Sequence, residues 1–321
     1  MKPKVLIAYS GFGDLEVETQ VLARINANVN HVGNLSSPEA LAAVREADAL
    51  MVTLQKVTAD IIHSMKRCRV ISRAGTGIDT IDVEAATARG IWVAYVPDYS
   101  IDEVSTHAIS LLLTQARGIV PLVNSTRNGK WDNMASGPVY RLKEQTLGII
   151  GFGRIGQAAA EKGRGLGLNV LVYDPYPNQA VAERIGARFV DLETLARQSD
   201  YISLHTPLLD STRHMINAHL LAMMKPTVYI VNAARGPLID EEALLAAVRT
   251  KQIAGAALDV LAVEPIAPDS PLLREERILI TPHSAWYSEE AKIDLRTRCA
   301  EEVVRVLSGQ TPRSPVNQVT G

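Results

Sequence analysis

The chain has 321 residues, 47% hydrophobic and 21% charged, which suits about two domains of roughly 150 residues with apolar cores. Basic residues number 33 against 35 acidic, a formal net charge of −2, so no global field recruits nucleic acid or an anionic membrane. The longest apolar stretches, such as 108–113, fall far short of the ~20 residues that span a bilayer, and two distant cysteines, Cys68 and Cys299, fit a reducing cytoplasmic setting.

The N-terminal apolar run is too short for a signal peptide and leads into a glycine turn, so KVLIAYS (4–10) reads as a first strand. Further strands are expected at 47–53, 68–73 and 91–96, separated by helical spacing at 15–25, 37–47 and 57–67. Ser37 followed by Pro38 is a cap with proline in the first turn. A long helix follows from about Ile101 to Ile119, then a polar loop at 124–138 rich in turn formers. A second strand–helix series starts at TLGIIG (146–151) and continues with strands at 169–174, 187–191, 201–207, 228–234, 254–260 and 277–282. Residues 289–309 read as one final helix ending at Gly309, and no repeat or low-complexity tract interrupts the chain. Strands alternating with helices predict parallel sheets covered on both faces, an α/β fold in two domains. The last helix is placed to return to the first domain, which divides the chain into 1–99 with 288–321, and 100–287.

Gly151-Phe152-Gly153-Arg154-Ile155-Gly156 is a GxGxxG that leaves a strand and opens a helix. Gly151 permits the tight turn, Gly153 lets the backbone approach a pyrophosphate, and Gly156 lets helix and strand pack closely. The helix N-terminus presents free N–H groups and a positive dipole end to the phosphates. Asp174 ends the next strand about twenty positions on, where an acid holds the adenosine ribose. A carboxylate there repels a 2′-phosphate, and Pro175-Tyr176-Pro177 offers no arginine to receive one, which favours NAD over NADP. The alternative is a glycine turn that only packs a helix.

Three later strand ends carry polar residues in apolar settings: NAARGPLID (232–240), LDVLAVEP (258–265) and ITPHSAW (280–286). Open α/β sheets bind ligands at the carboxyl ends of their strands, so Arg235, Glu264 and His283 can converge beside a nicotinamide. Hydride transfer to a keto acid needs a held carboxylate, a polarised carbonyl and a proton donor. An arginine fork suits the first two and a histidine the third, with a glutamate on the far ring nitrogen to set the tautomer. Singly, each residue also admits a structural reading: Arg235 as a partner of Asp240, Glu264 as a turn residue, His283 as a loop histidine.

In their order, GFGRIG, NAARG, GAALDVLAVEP and TPHSAW, with SRAGTGID (72–79) and LHTPLLDSTRHMI (204–216), resemble the D-isomer-specific 2-hydroxyacid dehydrogenase family along nearly the whole chain. The resemblance implies two Rossmann-like domains, a discontinuous flavodoxin-like substrate domain and an inserted NAD-binding domain, with the active site in the cleft between them. It implies Arg235 for substrate, His283 as acid/base and Glu264 as its partner. It places Asp259 on the nicotinamide carboxamide, and Thr76, His205, Thr206, Pro207 and Ala233 along the cofactor. Gly75 and Gly77 would offer N–H groups to the substrate carboxylate. PHSAWYSEEA and VPDYSIDE look most like the branch of the C-terminal-binding-protein corepressors. Trp286 is then a pocket-lining aromatic, or else a domain-interface residue. The expected activity is NAD-dependent interconversion of a small D-2-hydroxy acid and its 2-keto acid, by a homodimer. The competing readings are an NAD(H)-sensing protein-binding module and an NAD-dependent enzyme for another small anion. Glu103 and His107, four apart on a helix, read as a surface pair. The histidines lack metal-ligand spacing, so no metal is expected.

Overall fold

The structure, a computed structural model, describes residues 2–8 and 12–319, which divide into two units: Met1–Tyr99 with Ser288–Gly321, and Ser100–Tyr287. Tyr9 and Ser10, the end of the first expected strand, and Gly11 of its turn lie outside the described residues.

In the first unit the chain runs β1 (Lys4–Ala8), α1 (Glu16–Leu22), β2 (Asn28–His31), α2 (Pro38–Glu46), β3 (Ala49–Val52), α3 (Ala59–Ser64), β4 (Val70–Arg73), α4 (Val83–Ala88) and β5 (Trp92–Tyr95). The sheet is parallel in the order β2-β1-β3-β4-β5. β3 and β4 are buried along their whole length, so β3 stands out as an apolar run, while β4 ends in buried Ser72 and Arg73. β2 was not expected: NVNH at the sheet edge carries one apolar residue and is mostly exposed. α4 was also unexpected; it is one and a half turns long and is started by Asp82, whose side chain accepts from the Ala85 N–H. The Ser37 cap forms as expected, its hydroxyl accepting from Ala40 N–H at 3.2 Å.

In the second unit come α5 (Ile101–Ala116), α6 (Ile119–Arg127), β6 (Thr146–Ile150), α7 (Arg154–Gly165), β7 (Asn169–Tyr173), α8 (Gln179–Ile185), β8 (Ala187–Phe189), α9 (Leu192–Gln198), β9 (Tyr201–Leu204), α10 (Ala218–Leu221), β10 (Tyr229–Asn232), α11 (Glu241–Arg249), β11 (Gly255–Leu258) and β12 (Ile278–Ile280). Residues 124–127, expected in a loop, continue α6, because Gly118 in a left-handed conformation starts a new helix rather than ending the structured segment. The seven-stranded parallel sheet has the order β12-β11-β10-β9-β6-β7-β8. Its strand order reverses between β6 and β9, the switch point where open α/β sheets bind ligands. Apolar clusters cover both faces: Leu204, Ile230 and Leu258 belong to one, Ile149, Val172 and Val231 to the other.

The last helix, α12 (Glu289–Leu307), packs within the first unit against α1 and β4. No helix among the described residues is long and apolar enough to cross a membrane.

Candidate active site

The glycine loop leaves β6 at the switch point of the second unit. Gly151 sits at φ +93°, and a Cβ there would lie 2.6 Å from the backbone of His205 and Thr206. A Cβ on Gly156 would fall 2.0 Å from the Gly151 carbonyl oxygen, so only hydrogen lets α7 start this close to the strand. Gly153 is different. It precedes α7, and a Cβ there would meet no atom within 4 Å. The chain itself therefore does not need this glycine, whereas a diphosphate seated on the N–H groups of Arg154, Ile155 and Gly156 would. Asp174 follows β7, and its carboxylate accepts from Phe152 N–H at 2.6 Å and Tyr176 N–H at 2.8 Å. The acid is thus tied directly to the glycine loop. These residues fit a dinucleotide.

The loop after β9 flanks the turn. His205 N–H donates to Ile150 O at 2.7 Å, and the imidazole Nε2 lies 2.9 Å from Ser203 Oγ. Burial depresses the His205 pKa to about 4, so the ring is neutral at physiological pH. Pro207 O accepts from Thr212 Oγ at 2.8 Å, which folds the loop back on itself.

Arg235, Glu264 and His283 stand in three loops that follow β10, β11 and β12, which are adjacent in the sheet. The first loop is braced by buried Asn232, whose side-chain amide donates to Arg235 O at 2.8 Å and accepts from Ala234 N–H at 3.0 Å. Arg235 Nη1 donates to Ala234 O at 2.7 Å. Asp240, an alternative partner for that arginine, caps α11 by accepting from Ala243 N–H. Gly236 joins the first loop to the second: a Cβ there would lie 1.9 Å from the Leu261 carbonyl carbon. Glu264 Oε1 accepts from Leu261 N–H at 2.8 Å, which leaves Oε2 for His283 Nδ1 at 2.7 Å. Burial pushes the Glu264 carboxyl up, but the hydrogen bonds from His283 and Leu261 outweigh it and hold the pKa below its ordinary value. The carboxylate is therefore ionised at neutral pH and fixes the proton of His283 on Nδ1, so Nε2 is the ring nitrogen available for exchange.

Asp259 is buried and holds the third loop together. Its Oδ1 accepts from Thr281 Oγ at 2.6 Å and Ser284 N–H at 2.9 Å, its Oδ2 from Ala285 N–H at 2.9 Å, and its carbonyl from His283 N–H at 2.8 Å. Burial raises this carboxyl too, and the bonds from His107, Thr281, Ala285 and Ser284 more than offset that, so its pKa is also lowered. His107 was missed as a site residue. In place of a surface pair with Glu103, its Nε2 lies 3.1 Å from Thr281 Oγ and 3.4 Å from Asp259 Oδ1. The signal was its spacing: His107, Leu111 and Gln115 share one face of α5, and Leu111 is buried.

Ala233 follows β10 in the same loop as Arg235. Trp286 is half-buried and meets Tyr287 edge to face with ring centroids 5.6 Å apart. Gly75, Thr76 and Gly77 belong to the first unit, after β4, where Thr76 Oγ donates to Val96 O at 3.4 Å. Gln55 braces that unit. It accepts from Leu35 N–H at 2.6 Å and donates to Gly33 O at 3.0 Å. Among the described residues no cluster of His, Cys, Asp or Glu could hold a metal ion.

Residues 109–285 match the family described as "D-isomer specific 2-hydroxyacid dehydrogenase, NAD binding domain". The chain is 41% identical to D-3-phosphoglycerate dehydrogenase of Methanocaldococcus jannaschii over 88% of its own length and 54% of that protein. It is 37% identical to glyoxylate reductase of Korarchaeum cryptofilum over 86% of its length and 84% of that protein. Among solved structures, D-lactate dehydrogenase of Aquifex aeolicus, complexed with NAD and lactic acid, matches with a TM-score of 0.87 at 27% identity, over 95% of this chain and 96% of that one. The chain spans about half the length of the phosphoglycerate dehydrogenases it matches. These relatives correct the expectation of a corepressor branch. That expectation rested on two short segments, PHSAWYSEEA and VPDYSIDE, whereas the likeness to phosphoglycerate dehydrogenases and glyoxylate reductases extends over some 280 residues or more.

Proposed function

The chain belongs to the D-isomer-specific 2-hydroxyacid dehydrogenase family, and on that premise we propose that it is an NAD-dependent oxidoreductase interconverting a small D-2-hydroxy acid and its 2-keto acid. The observation that carries the reading is the 2.7 Å contact between Glu264 Oε2 and His283 Nδ1, on a loop framework shared with Arg235.

The guanidinium of Arg235 holds the substrate carboxylate and polarises the neighbouring carbonyl by charge-assisted hydrogen bonds. A reduced nicotinamide, when bound, supplies the hydride to the carbonyl carbon. As the carbonyl π pair moves onto oxygen, His283 Nε2–H gives that oxygen its proton. Glu264 stabilises the imidazolium before transfer and keeps the ring oriented after it. In oxidation the same nitrogen takes the hydroxyl proton back. General acid catalysis of this kind supplies roughly 10²–10⁴-fold. Asp174 and the glycine loop select NAD, because a carboxylate beside the ribose disfavours a 2′-phosphate.

A panel of 2-keto acids tests the reading: glyoxylate, pyruvate, hydroxypyruvate, its phosphorylated form, and branched and aromatic analogues, each followed by NADH absorbance. Turnover of at least one is expected, and the ranking reports pocket size. NADH binding with no turnover of any of them would contradict it and favour a nucleotide-gated binder or another small anion. The protein is further proposed to act in the cytoplasm, supported by two buried cysteines, Cys68 and Cys299, that form no disulfide, and to be a homodimer. Trp131, 95% exposed, and Met134, 71% exposed, are large apolar side chains on the second unit that a second copy would cover. A monomeric mass by sedimentation would refute the dimer.

A further inference from the structure

The proposed acid/base stands on an unusual piece of backbone. His283 has φ +53°, a conformation that non-glycine residues hold only where surrounding contacts impose it. The contacts that impose it converge on Asp259, which ties down Thr281, Ser284 and Ala285 through its side chain and His283 through its carbonyl. The backbones of Asp259 and Thr281 are held by Asn232 O and Leu258 O, and their side chains receive a further contact from α5, far away in sequence.

The proton count shows how. The Thr281 hydroxyl has one hydrogen, and it goes to the ionised Asp259 Oδ1 at 2.6 Å. Toward His107 Nε2, 3.1 Å away, the same oxygen can then only accept. His107 Nε2 therefore carries a hydrogen, shared between Thr281 Oγ and Asp259 Oδ1, the latter 3.4 Å away. The face of α5 that presents His107 is anchored two turns further on by Gln115, whose amide donates to Ala256 O at 2.7 Å in β11. The helix thus grips the strand at one point and the turn beyond it at another.

We propose that His107 is a positioning residue. Its Nε2–H locks Thr281 and Asp259, and through them the 281–285 turn that presents His283 to Glu264. The consequence for turnover rests on the proposed function, but the consequence for the turn does not.

Two substitutions separate the donor from the bulk. His107→Gln keeps a side-chain N–H near the position of Nε2, and His107→Met keeps similar length without a donor. Amide hydrogen exchange in the full-length protein reads the turn directly, through the peptide containing Ser284 and Ala285. Steady-state kinetics with a keto acid that the wild type reduces read the chemistry. In H107M, exchange at the turn is expected to rise about tenfold, and kcat to fall by about tenfold with KM nearly unchanged, the size of loss typical when a group orienting a functional residue is removed. In H107Q both should return to within about threefold of wild type. Thr281→Val, nearly isosteric, removes the shared oxygen and should reproduce the H107M pattern even if that variant folds poorly. Wild-type exchange in both H107M and T281V, or no rescue by glutamine, would overturn the proposal. If the wild type reduces no keto acid, the functional reading fails, and the exchange comparison alone decides the position of His107.

Discussion

Gly236→Ala is the sharpest structural test of how Arg235 and Glu264 are brought together. Gly236 is not in a left-handed conformation, so alanine adds no backbone strain there. It adds a single carbon placed 1.9 Å from the Leu261 carbonyl carbon, 2.2 Å from its oxygen and 2.3 Å from Ala262 N. Ordinary contact begins near 3.4 Å, so the 235–238 and 261–264 segments must separate by about 1.5 Å. Both are backbone, and neither can yield by a change of side-chain rotamer. Arg235 then moves relative to the Glu264–His283 pair by more than the ~1 Å misplacement that costs about 10²-fold in rate. We expect kcat/KM to fall by about 10², or ~2.7 kcal/mol of transition-state stabilisation, together with ~1–3 kcal/mol of stability. The assay is NADH oxidation with the best keto acid, alongside a melting curve and an NADH titration by fluorescence. NADH affinity should change little, because the glycine loop is braced by β9 and Asp174 rather than by Gly236. Activity within threefold of wild type would refute the argument that this close approach sets the site.

Gly153→Ala makes the opposite separation. Its Cβ meets nothing within 4 Å, so stability should stay within ~0.5 kcal/mol, while NADH affinity drops at least about tenfold; unchanged affinity would remove the diphosphate from this turn. His205 predicts a pH dependence of stability. Its folded pKa of about 4 lies below the ordinary value of 6.5, so the unfolded chain binds more protons between these values and stability falls as the pH drops through them. The loss is ~2 kcal/mol by pH 5, and urea titrations of His205→Gln should lack that share of the slope; equal slopes in variant and wild type would show the ring is not buried neutral.

Much of the fold could be read from residue pattern because the central strands are buried on both sides. Runs such as ALMV and GAAL have no polar face to disguise them. β2 escaped for the converse reason: an edge strand of Asn, Val, Asn and His carries no buried face to leave a period. In the site, Arg235, Glu264 and His283 were visible because each interrupts an apolar strand end. The local motifs could not show that Gly236 docks on Leu261, since only the fold makes those loops neighbours. Nor could they show His107, 174 positions from its partner Thr281. Asp259 is expected by resemblance to hold the nicotinamide carboxamide. Its carboxylate also grips the turn around His283, a task defined by backbone N–H groups that no residue-type pattern reports.

The central claim is that His283, oriented by Glu264, moves the proton. His283→Asn tests it most directly, measured as kcat and NADH dissociation constant side by side with wild type. The account predicts NADH binding within about threefold of wild type and a kcat lower by at least about 10², the lower bound for a lost general acid. A variant that still turns over the keto acid at the wild-type rate would contradict it.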